Sequence, residues 1–243
     1  MSTNLREKPR AASEDTKNQI KAAAQLLFAR HGVDAVTIQQ IVAAAGQRNN
    51  AALHYHFGSK EELIRQLVVD GAAVLDARRQ DMLREMAARG GPASIREVLL
   101  ILMMPVIELG EDERWRGYIR FTSNLQAVDR KTLRAALNDR WNAGYVTCFD
   151  HLKRMLPLPA PLVEQRLSLF SIYANAILSA REAAREIRKS EGSRLWDYPF
   201  TTENILDTLE SVLTCAPSAS TLAMADPKVP WESTIFWSQS PDA

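Results

Sequence analysis

Helical periodicity recurs from residue 16 to residue 215, whereas the apolar/polar alternation that marks a strand never persists. A chain patterned this way over most of its 243 residues is all-α, with no sheet to carry its core. Ile20, Ala23, Ala24, Leu27 and Phe28 share one face of a first helix, which Ser13 or Thr16 can cap and Gly32 can end. Thr37-Ile38-Gln39-Gln40 reads as a capping box opening a second, short helix with Ile38, Ile41 and Ala45 inward and Gly46 closing it. A third short helix runs from Asn49 or Asn50 to Tyr55. Ser59-Lys60-Glu61-Glu62 opens a long one, which Gly90-Gly91-Pro92 ends near Arg89. Beyond it, Ser94 caps a fifth helix that Pro105 should end or kink. Further helices are expected over 111–124, 130–155, 162–189 and 202–215, with the proline-rich stretch 157–161 as a stiff connector.

Charge divides the chain unevenly. Residues 1–60 hold eight Lys/Arg against four Asp/Glu, and the remainder 22 against 25, so a basic head precedes a mildly acidic body. Two short helices joined by a tight turn, behind a longer helix that supplies the floor, form a helix-turn-helix layout. From the turn onward the residues are Gln47, Arg48, Asn49, Asn50, His54, Tyr55 and His56. Arg can pair bidentately with guanine, Asn and Gln with adenine, and Tyr or Lys can hold phosphates. A polar solvent face on a small helix is the other reading of the same residues. His54 and His56, two apart on a helix, do not share a face, and no third ligand lies nearby, so no metal site is expected.

The segments AAAQLLFARHG, VTIQQIVAAAGQ and especially HYHFGSKEEL, between Ile20 and Leu63, resemble the N-terminal domain of tetracycline-repressor (TetR) family regulators. The resemblance covers about a fifth of the chain. It implies a DNA-binding surface made of Thr37, Gln47, Arg48, Asn49, Asn50, Ala51, His54, Tyr55, His56 and Lys60. Thr37 would touch a phosphate, Gln47 to Ala51 would reach base edges, and Tyr55 and Lys60 would hold the backbone on either side of the groove. Phe57 would pack beneath the helix, with His56 either packing or contacting phosphate. From Gly46 to Phe57 this sequence is one residue longer than the family spacing, with the extra residue within 47–53. Individual base contacts there, and whether His54 faces the groove, stay open.

The resemblance also implies that a larger helical domain follows the head, binding an effector and forming a homodimer. The expected division is a basic flexible arm at 1–12, the helix-turn-helix domain at 13–60, a helical effector-binding and dimerisation domain at 61–215, and a Pro/Ser-rich tail at 216–243. Met103, Trp115, Tyr118, Phe121, Trp141, Tyr145 and Phe149 are candidates to line a pocket for a small, largely apolar ligand; the same stripes would equally fill a core. Leu167, Phe170, Ala174, Ile177 and Leu178 are candidates for the dimer interface, unless that face is buried within one protomer. The tail carries Trp231, Phe236 and Trp237, which could fold over an apolar groove or bind a partner.

Other classes find little support. No GxSxG, P-loop, GxGxxG, HExxH or paired-carboxylate pattern occurs in a supporting context, so neither catalysis nor a cofactor is expected. The N-terminus lacks a signal peptide's apolar stretch, and the longest apolar run, 98–107, is far below the ~20 residues a membrane span needs. Cys148 and Cys215 form no CxxC pair, which suits a reducing compartment. A cytoplasmic protein, at the nucleoid when DNA-bound, is expected. Its partners would be an operator duplex, a second copy and a small effector. The alternative keeps DNA binding but places control in protein partners, or makes the chain an activator.

Overall fold

The computed structural model describes residues 7–137, 141–191 and 194–225, with side chains described over 13–137, 141–186 and 195–225. Every regular element among them is helical: α1 (Glu7–His31), α2 (Ile38–Ala44), α3 (Ala51–Phe57), α4 (Lys60–Ala88), α5 (Ile95–Glu111), α6 (Tyr118–Val128), α7 (Arg130–Leu137), α8 (Ala143–Met155), α9 (Ala160–Glu191), α10 (Thr201–Thr214) and α11 (Ala219–Met224). The chain forms two units. One takes residues up to Val74 together with Glu108–Trp141; the other takes Leu75–Ile107 and the chain from Asn142 onward. Residue 60, where the sequence reading ended the head, is the first residue of α4.

In the head unit, α1 supplies the floor. Ile20, Ala24 and Phe28 are fully buried, and α2 and α3 add Ile41, Leu53 and Phe57. The Phe28 ring stacks on Phe121 of α6 at 5.6 Å. Buried Gln25 donates from Nε2 to the Arg116 carbonyl at 2.9 Å, holding the loop before α6 against α1. Gly117 (φ +87°) lets that loop approach, since a Cβ there would lie 3.1 Å from the Ala29 methyl. Tyr118 is buried and donates its hydroxyl to the Val68 carbonyl of α4 at 3.0 Å, over the turn that contains Gly71.

The body unit is built on α9. Its face of Leu167, Phe170, Ala174 and Leu178 is buried together with Cys148 and Leu152 of α8 and Leu206, Leu209 and Leu213 of α10. Buried polar groups tie its helices together. Asp76 accepts the Gly144 N–H at 2.7 Å near the start of α8, and Arg79 donates to the Leu102 carbonyl of α5 at 3.1 Å. Burial pushes the Cys148 thiol up to about 12, as an inert core residue requires, while Cys215 is exposed.

Several boundaries depart from the sequence reading. Pro105 does not end α5, which continues to Glu111. Proline removes one backbone donor, but burial of Leu102, Met103, Ile107 and Leu109 on both sides holds the helix through it. The helix expected over 111–124 is interrupted: Asp112 accepts the Arg114 N–H at 3.0 Å, capping a 3-10 turn at Glu113–Trp115, and Gly117 then resets the chain for α6. The helix expected over 130–155 is two helices, α7 ending at Leu137 and α8 starting at Ala143, with Asn142 at the N-cap of α8. Residues 7–12 belong to the backbone of α1, so the helix starts before Ser13 and takes in part of the expected arm. Within the tail, Ser218 accepts the Thr221 N–H at 3.1 Å and starts α11; Trp231, Phe236 and Trp237 lie outside the described residues.

Candidate nucleic-acid interface

The local chemistry of residues 37–62 fixes each bend of the head. Thr37 accepts the Gln40 N–H at 3.2 Å, and Gln40 returns its Oε1 to the Thr37 N–H at 2.8 Å, completing the capping box of α2. At the other end Gly46 (φ +70°) closes a Schellman motif, with Gly46 N–H bonded to the Ala43 carbonyl at 3.0 Å and Gln47 N–H to that of Val42 at 2.9 Å. Residues 47–50 form the turn. Asn49 then accepts the Ala51 N–H at 3.0 Å, an Asx-type start for α3. Buried Leu53 and Phe57, four apart, anchor one face of α3 and thereby turn the other outward. Gly58 ends α3, and Ser59 accepts the Glu62 N–H at 3.1 Å to begin α4.

That outward surface holds Arg48, Asn49, Asn50, Ala51, His54 and Tyr55, all exposed, with Tyr55 at 81%. Thr37 is exposed at the start of α2. Gln47 is half-buried, its Nε2 donating to Gln19 Oε1 of α1 at 3.3 Å. His54 turns its Nδ1–H to the Gly58 carbonyl at 2.9 Å, so its ring is engaged with the end of its own helix. His56 is half-buried, edge-on to Tyr55 at 5.0 Å. Lys60 is turned inward: Nζ donates to the Val33 carbonyl at 2.5 Å and lies 5.9 Å over the Phe28 ring.

The sequence reading did not single out Gln19, Lys21 or Asp70, which position this surface, and gave Tyr118 another role. Gln19 holds Gln47 from α1, and Lys21 pairs with Asp70 at 2.6 Å to fix α4 against α1. Tyr118 reaches α4 from 50 residues away. Apolar periodicity does not report cross-helix polar ties. Only the small size of Gly71, inside an otherwise good helix, hinted at a close approach.

Residues 20–67 match the family model of bacterial regulatory proteins of the tetR family. The match is confined to α2, α3 and parts of α1 and α4, so it is this head segment that is similar to the family. No curated protein sequence matches significantly. Among solved structures, the chain is similar to a TetR family transcriptional regulator, PfmR from Thermus thermophilus, at 18% identity and a TM-score of 0.44 over 82% of this chain and 99% of that one. A chain solved in work on the molecular basis for control of antibiotic production by bacterial hormones matches at 19% and 0.37, over 86% and 97%. At those identities and scores no residue role transfers from either.

The TetR-family reading directs attention to the body candidates, which fall into different units. Trp115, Tyr118 and Phe121 form an aromatic row in the head unit, at centroid spacings of 5.6 and 6.4 Å, and Tyr118 and Phe121 are buried there as core. Half-buried Trp141 closes that unit. Met103, Tyr145 and Phe149 belong to the body unit. There Tyr145 stacks on Phe149 at 4.3 Å, meets Ser171 at 3.2 Å through its hydroxyl, and carries the Arg79 guanidinium 5.7 Å from its ring. Four of the five dimer candidates lie buried within the single chain. Leu167, Phe170, Ala174 and Leu178 are spent inside the protomer because the most apolar stripe of a long helix packs on its own core first; only Ile177 remains half-exposed. Among the described residues no helix is long and apolar enough to cross a membrane, and no cluster of His, Cys, Asp or Glu is arranged for a metal.

Lys60 allows a direct test of its inward geometry. Losing a charged donor to a half-buried carbonyl should cost about 1–2 kcal/mol after discounting for solvent. Lys60→Met is therefore expected to lower the melting temperature of the DNA-free protein by roughly 2–8 °C. An unchanged melting temperature with weakened DNA binding would make Lys60 a phosphate ligand and not a brace.

Proposed function

We propose that the chain is a repressor that holds a palindromic operator as a homodimer and releases it when a small, largely apolar effector binds the helical body. The observation that carries this reading is the outward face of α3 and its turn. Arg48, Asn49, Asn50 and Tyr55 stand exposed on a helix whose other face is locked by Leu53 and Phe57. Rigid backing is what base-edge hydrogen bonds need, since a loosely held Arg or Asn gives affinity without discrimination. In this reading Arg48, Asn49 and Asn50 read bases, while Tyr55 and Thr37 hold phosphates. Gln47 and Ala51 border the reading end, and His54 and His56 shape its flank.

Two half-sites call for two heads. The outward face of α9 supports self-association. Leu169 (49% exposed) and Ile172 (55% exposed) continue into exposed Ala176 and Ala180, an apolar stripe whose small residues allow a second helix to approach closely. This stripe lies on the face of α9 away from the buried candidates. An effector acts only through its preference for a conformer whose heads no longer match the half-site spacing.

In-vitro selection of random duplex DNA at fixed salt tests the reading. The expected result is an enriched motif with two-fold symmetry. Asn49→Ala and Arg48→Ala should each relax preference at particular base pairs, by about 1–3 kcal/mol per lost bidentate contact, whereas Tyr55→Phe should weaken binding evenly across sequences. Binding without enrichment would leave only the electrostatic attraction of a basic head and would sink the repressor reading.

A further inference from the structure

The segment joining α9 to α10 is unusual for a connection. Leu195-Trp196-Asp197-Tyr198-Pro199-Phe200 contains four large apolar or aromatic residues, where connecting segments are ordinarily polar. The structure does not spend them on the core: Leu195, Tyr198 and Phe200 remain 62%, 52% and 59% exposed. Tyr198 and Phe200 stack nearly parallel, with centroids 5.0 Å apart and planes 10° from each other. Together with Tyr173 and Ile177 of α9 and Asn204 and Thr208 of α10 they wall a recess of about 370 Å³, floored by buried Thr201 and Ile205. That volume falls within the range of small-molecule sites.

The polar groups narrow the occupant. Among the described residues lining the recess none carries a formal charge. A charged ligand would give up water with nothing to replace it, so the site selects neutral molecules. The Tyr173 hydroxyl and the Asn204 amide make no hydrogen bond to described residues, and the Thr208 hydroxyl, which donates to the Ile205 carbonyl at 2.9 Å, can still accept. A flat ring system bearing one donor and one acceptor would satisfy both the Tyr173 hydroxyl and the Asn204 amide.

We propose that this recess between α9, α10 and the 195–200 connection is a binding site for a neutral, planar, aromatic small molecule that inserts beside the Tyr198–Phe200 stack and hydrogen-bonds Tyr173 and Asn204. It gives the effector reading a place and a ligand class, and its regulatory consequence rests on that reading. The probe is 1-aminoanthracene, titrated into the full chain by fluorescence, with anthracene-1-sulfonate as the charged comparison. One saturable site per chain is expected. Tyr198→Ser/Phe200→Ser should weaken it about tenfold, as two lost ring contacts would, and the sulfonate should bind at least about tenfold more weakly. Both rings are half-exposed, so the variant is expected to keep its circular dichroism and, by sedimentation, its mass.

The proposal is overturned by absent binding, or by binding that the double substitution leaves unchanged. It is also overturned if the substitution changes the chain's association state, which would give the recess to a second copy. The same holds if the probe binds only after Trp231, Phe236 and Trp237 are replaced by Ser in the full chain, which would give the recess to the tail. Saturable binding that leaves a selected operator duplex in place would uphold the site and overturn the effector reading at this position.

Discussion

Gly71→Ala is expected to lower the melting temperature by roughly 4–8 °C, although alanine is the better helix former by about 1 kcal/mol. The sign is decided by space. Gly71 lies inside α4, and a Cβ built there falls 2.2 Å from Cζ, 2.3 Å from Cε2 and 2.7 Å from the hydroxyl oxygen of Tyr118. Such overlaps force something to move, and the ring has little freedom. It is 3% exposed, its hydroxyl donates to the Val68 carbonyl one turn earlier on α4, and it sits between Trp115 and Phe121. Overpacking a site of that kind costs on the order of 3 kcal/mol or more, which exceeds the helix-propensity gain.

A double-mutant cycle separates this cause from a general intolerance of the helix. Tyr118→Leu alone should destabilise through its lost hydrogen bond and the space it vacates. The combined Gly71→Ala/Tyr118→Leu protein should then be more stable than the sum of the two losses predicts, because the methyl fills part of that space. Thermal unfolding followed by circular dichroism measures all four proteins. A Gly71→Ala protein as stable as the parent would mean that Tyr118 does not sit on this turn. The consequence for function follows from position. The Gly71–Tyr118 contact fixes the same α4 whose first turn abuts α3, so disturbing it should also weaken operator binding without altering base preference.

What could be read from the sequence was what local chemistry dictates. The capping box at Thr37, the Gly46 closure and the two-glycine stop at Gly90-Gly91 involve residues within a few positions of one another, and the structure reproduces them. The TetR-family motif at 55–63 lies in the matched segment for the same reason: its spacing is local. Lys60 shows the limit. Its place in the motif is legible, but its bond to Val33 depends on how the α1–α2 connection folds back, which no spacing rule contains. The helix expected around the aromatic stripe meets the same limit. Trp115, Tyr118 and Phe121 follow a helical stripe, yet the capped turn at Asp112 and the positive φ of Gly117 place Trp115 before α6 begins. On α9 the apolar pattern correctly marked a packed face, but Leu167 and Phe170 pack within the protomer. The apolar stripe that stays exposed on α9 is the weaker one of Leu169, Ile172, Ala176 and Ala180.

Arg166→Met is expected to cost about 3 kcal/mol of stability, the second large effect. Replacing a buried charge with an apolar side chain of similar length is often harmless, because it removes a desolvation penalty. That outcome requires the groups facing the charge to be content without it. Here they are not. Arg166, 8% exposed on α9, donates Nη1 to the carbonyls of Val212 at 3.0 Å and Leu213 at 3.2 Å, and Nη2 to that of Cys215 at 2.8 Å. These belong to the last turn and cap of α10, which have no intrahelical donor and lie at the negative end of the helix dipole. Methionine preserves the stem but strands those carbonyls, one of them in a fully buried bond, and water can reach only part of the set. Arg166→Lys should recover less than half, since an ammonium is a point donor that cannot span three acceptors. Chemical denaturation of the three proteins measures the order: parent above lysine, lysine above methionine. A methionine protein at least as stable as the parent would show that the end of α10 rehydrates freely, and that α9 and α10 are held together by their leucines alone.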